Sequence, residues 1–363
     1  MVEARRGAAS GRQADAPSLA LPPLALTMGD PAGIGLDIAL AAWLAREAMG
    51  VAPFVLFGDP DALSARARLL RLDVPVVCVS DPREAPRLFS AGLPVVAIPC
   101  AAPVTAGQPD TANAGAVVAA IEAAVLAVRD GAARAVVTNP IAKSVLQADG
   151  FPHPGHTEYL EALAVRHFHA AGARAVMLLA AEELRVVPLT VHIPLARVPE
   201  AISSEGIAAT ARVLAASLRD DFGFRAPHIA VTGLNPHAGE DGMLGDEDQR
   251  IIAPAIAALQ REGLNVTGPY PADTLFHAAA RATYDAVLAM YHDQALIPIK
   301  TLAFDRGVNV TIGLPFVRTS PDHGTAFSIA GSGRADARSL IEALTLADRM
   351  VRRRASALAG ASS

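Results

Sequence analysis

Aromatic residues are scarce in this 363-residue chain: they make up 4% of it, and there is one tryptophan. The apolar mass, 52% of residues, is therefore largely Ala, Val, Leu and Ile. That composition suits parallel strands buried under Ala-rich helices. Cysteine is scarcer still. Cys78 and Cys100 are the whole complement, which excludes a disulfide framework and predicts two buried free thiols in a reducing compartment. Positive charge shows no clustering. With a net charge of −5 and no interleaving of aromatic and basic residues, there is no case for nucleic-acid binding. No apolar run approaches the roughly 18 residues of a membrane helix, so no membrane partner is expected. Internal repeats and Ser/Gly linkers are also lacking.

The N-terminus carries Arg5-Arg6 ahead of "LALPPLALTM". Pro22 and Pro23 interrupt that apolar run and no small-residue cleavage site follows, so it does not read as an export signal. A cytoplasmic location is expected, with residues 1–20 a disordered tail.

From residue 24 onward, strand-like and helical runs alternate. Strand candidates are 24–28, 53–58, 74–80, 94–99, 134–140, 174–180, 185–192, 228–234 and 285–292. Helical segments are expected at about 113–129, 204–219 and 247–262. The alternation predicts an α/β protein with a largely parallel sheet, and the length favours two domains. The first turn, "TMGDPAGIGLD", looks like a dinucleotide fingerprint, yet Gly29, Gly33 and Gly35 are spaced G-x3-G-x-G rather than G-x-G-x-x-G. No acidic residue ends a second strand about 20 residues on. The spacing rejects a Rossmann cofactor site.

Three histidines share a context: His192, His237 and His292 each lie at or just beyond the end of a buried-strand candidate. In open α/β sheets, ligands collect outside the carboxyl ends of strands. Taken singly, each has an ordinary reading as a satisfied loop histidine. Together they could converge on a borderline divalent ion such as Zn, Co or Ni. His167 and His169 are read as surface residues. In "GHTEYLEALA", Thr157 has the chemistry of a helix N-cap, which leaves the neighbouring His156 without a structural task. Asp293 and Asp273 each have three readings: a partner orienting a ligand, a general base, or a turn residue. Lys300, Asn309 and Arg318 punctuate an otherwise apolar stretch. The two cations there either snorkel to the surface or meet a phosphate or carboxylate.

The segments "TMGDPAGIG", "TNPIAK", "HPGHTEYL", "LNPHAGEDGMLGDED", "PADTLF", "MYHDQALIPIK" and "RGVNVTIGLPFVRTSPDHGTAF" run in order from about residue 24 to 345. As a set they resemble the 4-hydroxythreonine-4-phosphate dehydrogenase family of pyridoxal phosphate biosynthesis. The resemblance implies two α/β/α domains around a central cleft, isocitrate/isopropylmalate dehydrogenase-like and not Rossmann. It places a cofactor-side domain at 21–135 plus 311–363 and a metal, substrate and dimerisation domain at 136–310.

It further implies a homodimer with sites at the subunit interface. Each site would hold one divalent ion (Zn, Co or Mg) on His192, His237 and His292. NAD, rather than NADP, would be held by the loop Asp322, His323, Gly324, Thr325 and Ala326. Substrate would be bound by His156, Thr157, Lys300, Asn309 and Arg318, with Asp293, Asp273 and Lys300 as candidates for the base. The opening glycine turn would then line the cleft near the nicotinamide. One departure is visible: Ala142 precedes Lys143 where many relatives have His.

The implied reaction is oxidation of 4-phosphooxy-L-threonine at its C3 hydroxyl, followed by decarboxylation. Alternatives are a 4-phospho-D-threonate or D-erythronate dehydrogenase and, from another class, a phosphate acyltransferase.

Overall fold

A computed structural model describes residues 21–361; the tail expected at 1–20 lies outside the described residues. Twelve strands form one sheet: β1 (Leu24–Thr27), β2 (Phe54–Gly58), β3 (Val76–Cys78), β4 (Leu93–Ala97), β5 (Val136–Thr138), β6 (Val176–Ala180), β7 (Arg185–Pro188), β8 (Ile229–Thr232), β9 (Val266–Tyr270), β10 (Ala286–Ala289), β11 (Val308–Ile312) and β12 (Arg318–Pro321). Their spatial order is β3-β4-β2-β1-β5-β12-β11-β6-β7-β10-β8-β9. The first six in that order pair parallel, and so do the last four. Between them β11 runs antiparallel to both β12 and β6, and β6 antiparallel to β7. The two parallel blocks therefore run in opposite senses, and the antiparallel pair β11–β6 is the seam that joins them.

The chain is the α/β protein expected. The principal helices are α1 (Gly35–Leu44), α2 (Pro60–Leu70), α3 (Ala114–Arg129), α4 (Lys143–Ala148), α5 (His156–Phe168), α6 (Ser204–Asp220), α7 (Ala253–Arg261), α8 (His292–Ala303) and α9 (Arg338–Ala361). Local chemistry sets several starts. Asp59 accepts from the amides of Asp61 and Ala62 at 2.8 and 2.9 Å ahead of Pro60, and Ser203 accepts from Gly206 at 3.0 Å ahead of α6. Strands β1, β2, β8 and β10 are buried at every position, as strands covered on both faces must be.

Four expectations need correction. The helical stretch Thr111–Arg129 is long and apolar enough to cross a membrane by length and composition. It packs instead on β1, β2, β5 and α5, so its hydrophobicity is spent on the core. Cys78 is exposed, because β3 is a three-residue strand at the sheet edge, and Cys100 is half-buried. His167 is partly buried, with Nε2 2.8 Å from Glu122 Oε1; His169 is exposed as expected. Strands β9, β11 and β12 are not among the expected strands: Gly268-Pro269 breaks β9, β11 alternates Val and Ile with Asn309 and Thr311, and β12 is polar from Arg318 to Ser320.

Those polar strands matter for function. In β12, Arg318, Thr319 and Ser320 are all buried, in a sheet built mostly of apolar residues. The C-terminal helix α9 packs on β12 and α1, returning the end of the chain to its first strand.

Candidate active site

A cavity of about 530 Å³ opens over the antiparallel seam, where β6, β11 and β12 meet the ends of β5 and β7. Arg318 lies on its floor. The side chain is 4% exposed, and its Nη atoms donate to Thr311 Oγ1 at 2.9 Å and Thr138 Oγ1 at 2.6 Å. Nε has no acceptor, and among the described residues no carboxylate pairs with the guanidinium. Burial pushes its pKa down to about 9, which still leaves it charged near neutrality. A buried cation held only by neutral hydroxyls lacks its counter-ion, and an anion entering the cavity would supply it.

His156 sits beside it. Arg318 Nη2 approaches His156 Nδ1 at 3.5 Å, so the ring carries its proton on Nε2, a buried atom with no partner. Burial first, then the charges of Arg318 and Lys143, hold this imidazole well below its usual pKa. It is therefore a neutral donor. The reading of Thr157 as N-cap is not upheld: Gly155 occupies that position with no side-chain cap, and His156 is already the first helical residue. Both His156 and Thr157 line the cavity, at a helix N-terminus whose amides no side chain satisfies, and such an end favours anions.

Lys300 and Asn309 line the same cavity, so all five expected substrate residues are brought together. Lys300 Nζ pairs with Asp322 Oδ2 at 2.9 Å, tying α8 to the loop that follows β12. His292, Leu296 and Lys300 recur every four residues on α8 and so share the face that borders the cavity.

The histidines divide. His192 and His292 both line the cavity with ring centroids 6.0 Å apart, close enough for one nitrogen of each to share an ion at about 2.0–2.1 Å. His292 Nδ1 lies 2.7 Å from Asp293 Oδ1, an arrangement that turns Nε2 toward a ligand and fixes the ring. Burial foremost, then Lys143 and His292, lower the pKa of His192, favouring the neutral form that binds metals. His237 is not among the cavity's lining residues. It belongs to a run of left-handed backbone, His237 to Asp241, all with φ between +41° and +84°. Among the described residues no group of three potential ligands is assembled within one chain. The donor chemistry of His192 and His292 fits a divalent ion, and His237 stands apart from them.

Of the three candidates for the base, Lys300 lines the cavity. Asp293 bonds His292, and Asp273 borders a separate cavity beside Phe276 and Ile297. The loop Asp322–Ala326 borders the main cavity through Asp322, His323 and Gly324. Its far end is fixed: Thr325 O accepts from Ile34 N at 2.9 Å, and a Cβ on Gly33 would come within 2.9 Å of the same oxygen. The opening glycine turn is thus the seat of this loop. Asp30 in that turn is 4% exposed and accepts from Ala32 N at 3.0 Å, a structural task. His323 Nδ1 donates to Gly324 O at 3.1 Å, which leaves the buried, unpartnered Nε2 as an acceptor that fits a hydroxyl of a polar cofactor.

Sequence reasoning left out Thr138, Asn139, Lys143 and Glu158, all of which line the cavity. A signal existed for the first three: Thr138 ends the buried strand β5, and Asn139 and Lys143 follow it, the context that singled out His192.

The family model described as "Pyridoxal phosphate biosynthetic protein PdxA" matches residues 50–347. The chain belongs to the PdxA family. Among relatives of this family, the 4-hydroxythreonine-4-phosphate dehydrogenase of Methylorubrum populi is 59% identical over 91% of this chain and 95% of its own. That of Xanthobacter autotrophicus is 52% identical over 90% and 93%. A crystal structure of 4-hydroxythreonine-4-phosphate dehydrogenase from Klebsiella pneumoniae superimposes with a TM-score of 0.80 at 38% identity, covering 91% of this chain and 99% of that one. The PdxA fold is therefore the fold of this chain.

Proposed function

We propose that this PdxA-family chain is a dehydrogenase of pyridoxal 5'-phosphate biosynthesis. It would oxidise 4-phosphooxy-L-threonine at C3 to 2-amino-3-oxo-4-phosphooxybutanoate, which loses CO₂ to give 3-amino-2-oxopropyl phosphate. The observation that carries this reading is the union, in one cavity, of an uncompensated buried Arg318 with the facing imidazoles of His192 and His292. A phosphorylated substrate with a hydroxyl to be oxidised needs both. The names of relatives at 52–59% identity support the same substrate.

In this mechanism Arg318 and Asn309 grip the phosphate, the guanidinium by charge-assisted bonds. His156 donates from Nε2 without adding charge, and the amides at the start of α5 add the helix-end field. A rigid grip at that end fixes the distance from phosphate to C3 and so the hydride trajectory. His192 and His292 would hold the divalent ion (Zn, Co or Mg), with Asp293 orienting His292. When bound, that ion supplies Lewis-acid stabilisation of negative charge on an adjacent oxygen, and NAD supplies the hydride acceptor. Lys300 is the group placed to take a proton. The loop Asp322–Ala326 would hold NAD, with His323 Nε2 as an acceptor.

The third imidazole, His237, would come from a second copy in a homodimer, which accounts for a left-handed loop displaying a histidine away from its own cavity. A cytoplasmic setting suits a soluble cofactor and substrate. The test is NADH formation from 4-phosphooxy-L-threonine with and without chelator. Full activity in metal-stripped protein would refute the metal's part, and no turnover of this substrate by metal-loaded protein would refute the substrate.

A further inference from the structure

A second cavity, of about 470 Å³, lies away from the first, between the β6–β7 turn, the end of α6, the start of β11 and the later turns of α9. Four guanidinium groups border it: Arg185, Arg306, Arg349 and Arg353. Arg306 is engaged, with Nη2 2.7 Å from Glu183 Oε1. Among the described residues the other three make no ion pair within 4.0 Å.

Arg185 is the most constrained of them. Its Nη1 reaches only the backbone carbonyl of Asp285 at 3.4 Å, and its Nε is buried without an acceptor. The guanidinium lies 5.4 and 5.0 Å from the rings of Phe222 and Phe224. Burial foremost and the charge of Arg349 disfavour the Arg185 cation, with the Asp285 carboxylate opposing them. Arg353 lies across Gly223, where a Cβ would come within 3.2 Å of it.

Three carboxylates border the cavity: Glu182, Asp221 and Glu342. Asp221 is committed to Arg354 and to the Ser217 hydroxyl. Two unpaired carboxylates thus remain against three unpaired guanidiniums, and Arg185 and Arg349 confront each other with like charge.

We propose that this cavity is a second anion site, taking phosphate or a phosphate monoester between Arg185, Arg349 and Arg353. A compact dianion relieves the like-charge contact, and guanidinium forks match phosphoryl oxygens. Thr345 adds a hydroxyl, and Phe222 gives an organic group an apolar wall. An enclosed space of this size suits a small molecule. Arg185 opens β7, whereas Arg349 and Arg353 lie on α9, so an occupant ties the second parallel block to the C-terminal helix. It therefore stabilises the native state by mass action.

The test is titration calorimetry with inorganic phosphate on the wild type and on Arg349→Ala/Arg353→Ala, whose altered positions are exposed. The variant is expected to bind one equivalent per chain fewer, whatever the catalytic cavity takes up, and to lose the phosphate-induced rise in Tm tied to that equivalent. Its KM for 4-phosphooxy-L-threonine should stay within about twofold, which also reports that it folds. Equal stoichiometry in the two proteins overturns the proposal. Arg185→Gln, which retains both helix arginines, should weaken the same equivalent, and unchanged affinity there counts against the site. Phenyl phosphate distinguishes the sources. Tighter binding than inorganic phosphate, in the wild type alone, assigns a monoester, and equal binding assigns free phosphate.

Discussion

The two ends of the main cavity differ in what they are built on. At the phosphate end, Arg318, Thr311 and Thr138 stand on β12, β11 and β5, three hydrogen-bonded neighbours at the centre of the sheet. At the end proposed to hold the metal, His192 and His292 sit just past β7 and β10, and His237 lies on a left-handed loop outside the cavity. Sheet-borne groups are held by the core and need no partner. Loop-borne groups depend on what packs beside them. Anion binding should therefore be a property of the single chain, whereas the oxidation chemistry should depend on assembly.

The largest effect should come from breaking the metal end. His292→Ala is expected to lower kcat/KM on the order of 10³-fold, the upper range for deleting one charge-stabilising group, while phosphate binding and Tm in the absence of metal change little. Metal analysis alongside NADH formation checks this. Loss of phosphate binding would show that the ends are not separable.

Assembly is tested by mixing two inactive variants, His237→Ala and His292→Ala. If each site draws His237 from the other copy, hybrid dimers carry one intact site in two. Random re-pairing then restores about a quarter of wild-type activity. No recovery would place all three ligands in one chain.

Arg318→Ala comes next. It removes a cation that no other group replaces, and charge-assisted bonds contribute about 1.5–3 kcal/mol each. KM should rise about 100-fold with a smaller change in kcat, and metal content should be retained. Arg318→Lys should recover little of this, because a single ammonium cannot serve Thr311, Thr138 and a phosphate together. An unchanged KM would remove Arg318 from the phosphate grip. A smaller effect is expected from Asp293→Asn. It acts through His292 and should weaken metal binding about 10- to 100-fold, with full activity recovered at high metal concentration. If excess metal gives no recovery, Asp293 does more than orient its neighbour.

The same contrast explains which parts were legible in the sequence. Strands β1 to β8 and β10 announce themselves as apolar runs, most of them because strands covered on both faces admit little else. The strands that were not legible are β9, interrupted by Gly268-Pro269, and β11 and β12, whose interiors hold Asn309, Thr311, Arg318, Thr319 and Ser320. Neither β11 nor β12 is a continuous apolar run: β11 alternates apolar with polar residues and β12 is polar from Arg318 to Ser320, because together they furnish the floor of the site. Hence Arg318 was recognisable as an odd cation in apolar surroundings, while the strand carrying it was not recognisable as a strand. Thr138, Asn139 and Lys143 were passed over although they lie at or just past the end of β5 as His192 lies just past β7. The opening glycines signalled a turn correctly, but Gly33's partner, Thr325, lies too far along the chain for any local pattern to reveal. Nor could spacing tell that His237 would turn away from His192 and His292, since left-handed backbone over five residues has no sequence signature beyond its glycines.

The finest distinction between the two ends is electrostatic and shows in pH dependence. His156 is held well below its ordinary pKa by burial, with Arg318 and Lys143 adding to it. In the unfolded chain the ring takes a proton near pH 6.5, whereas in the native protein it does not. Below that pH the unfolded state binds one more proton, and stability falls by about 1.4 kcal/mol per pH unit until the native pKa is reached. The loss therefore appears on acidification and is absent above about pH 7.

His192 contributes with the same sign, so the informative quantity is the difference between wild type and His156→Gln. Urea midpoints measured from pH 7.5 to 5.5 should fall more steeply in the wild type, and parallel curves would refute the assignment. Phosphate sharpens the result further. An anion bound against Arg318 and Lys143 cancels part of the field that keeps His156 neutral, so saturating phosphate should flatten the wild-type curve toward that of the variant.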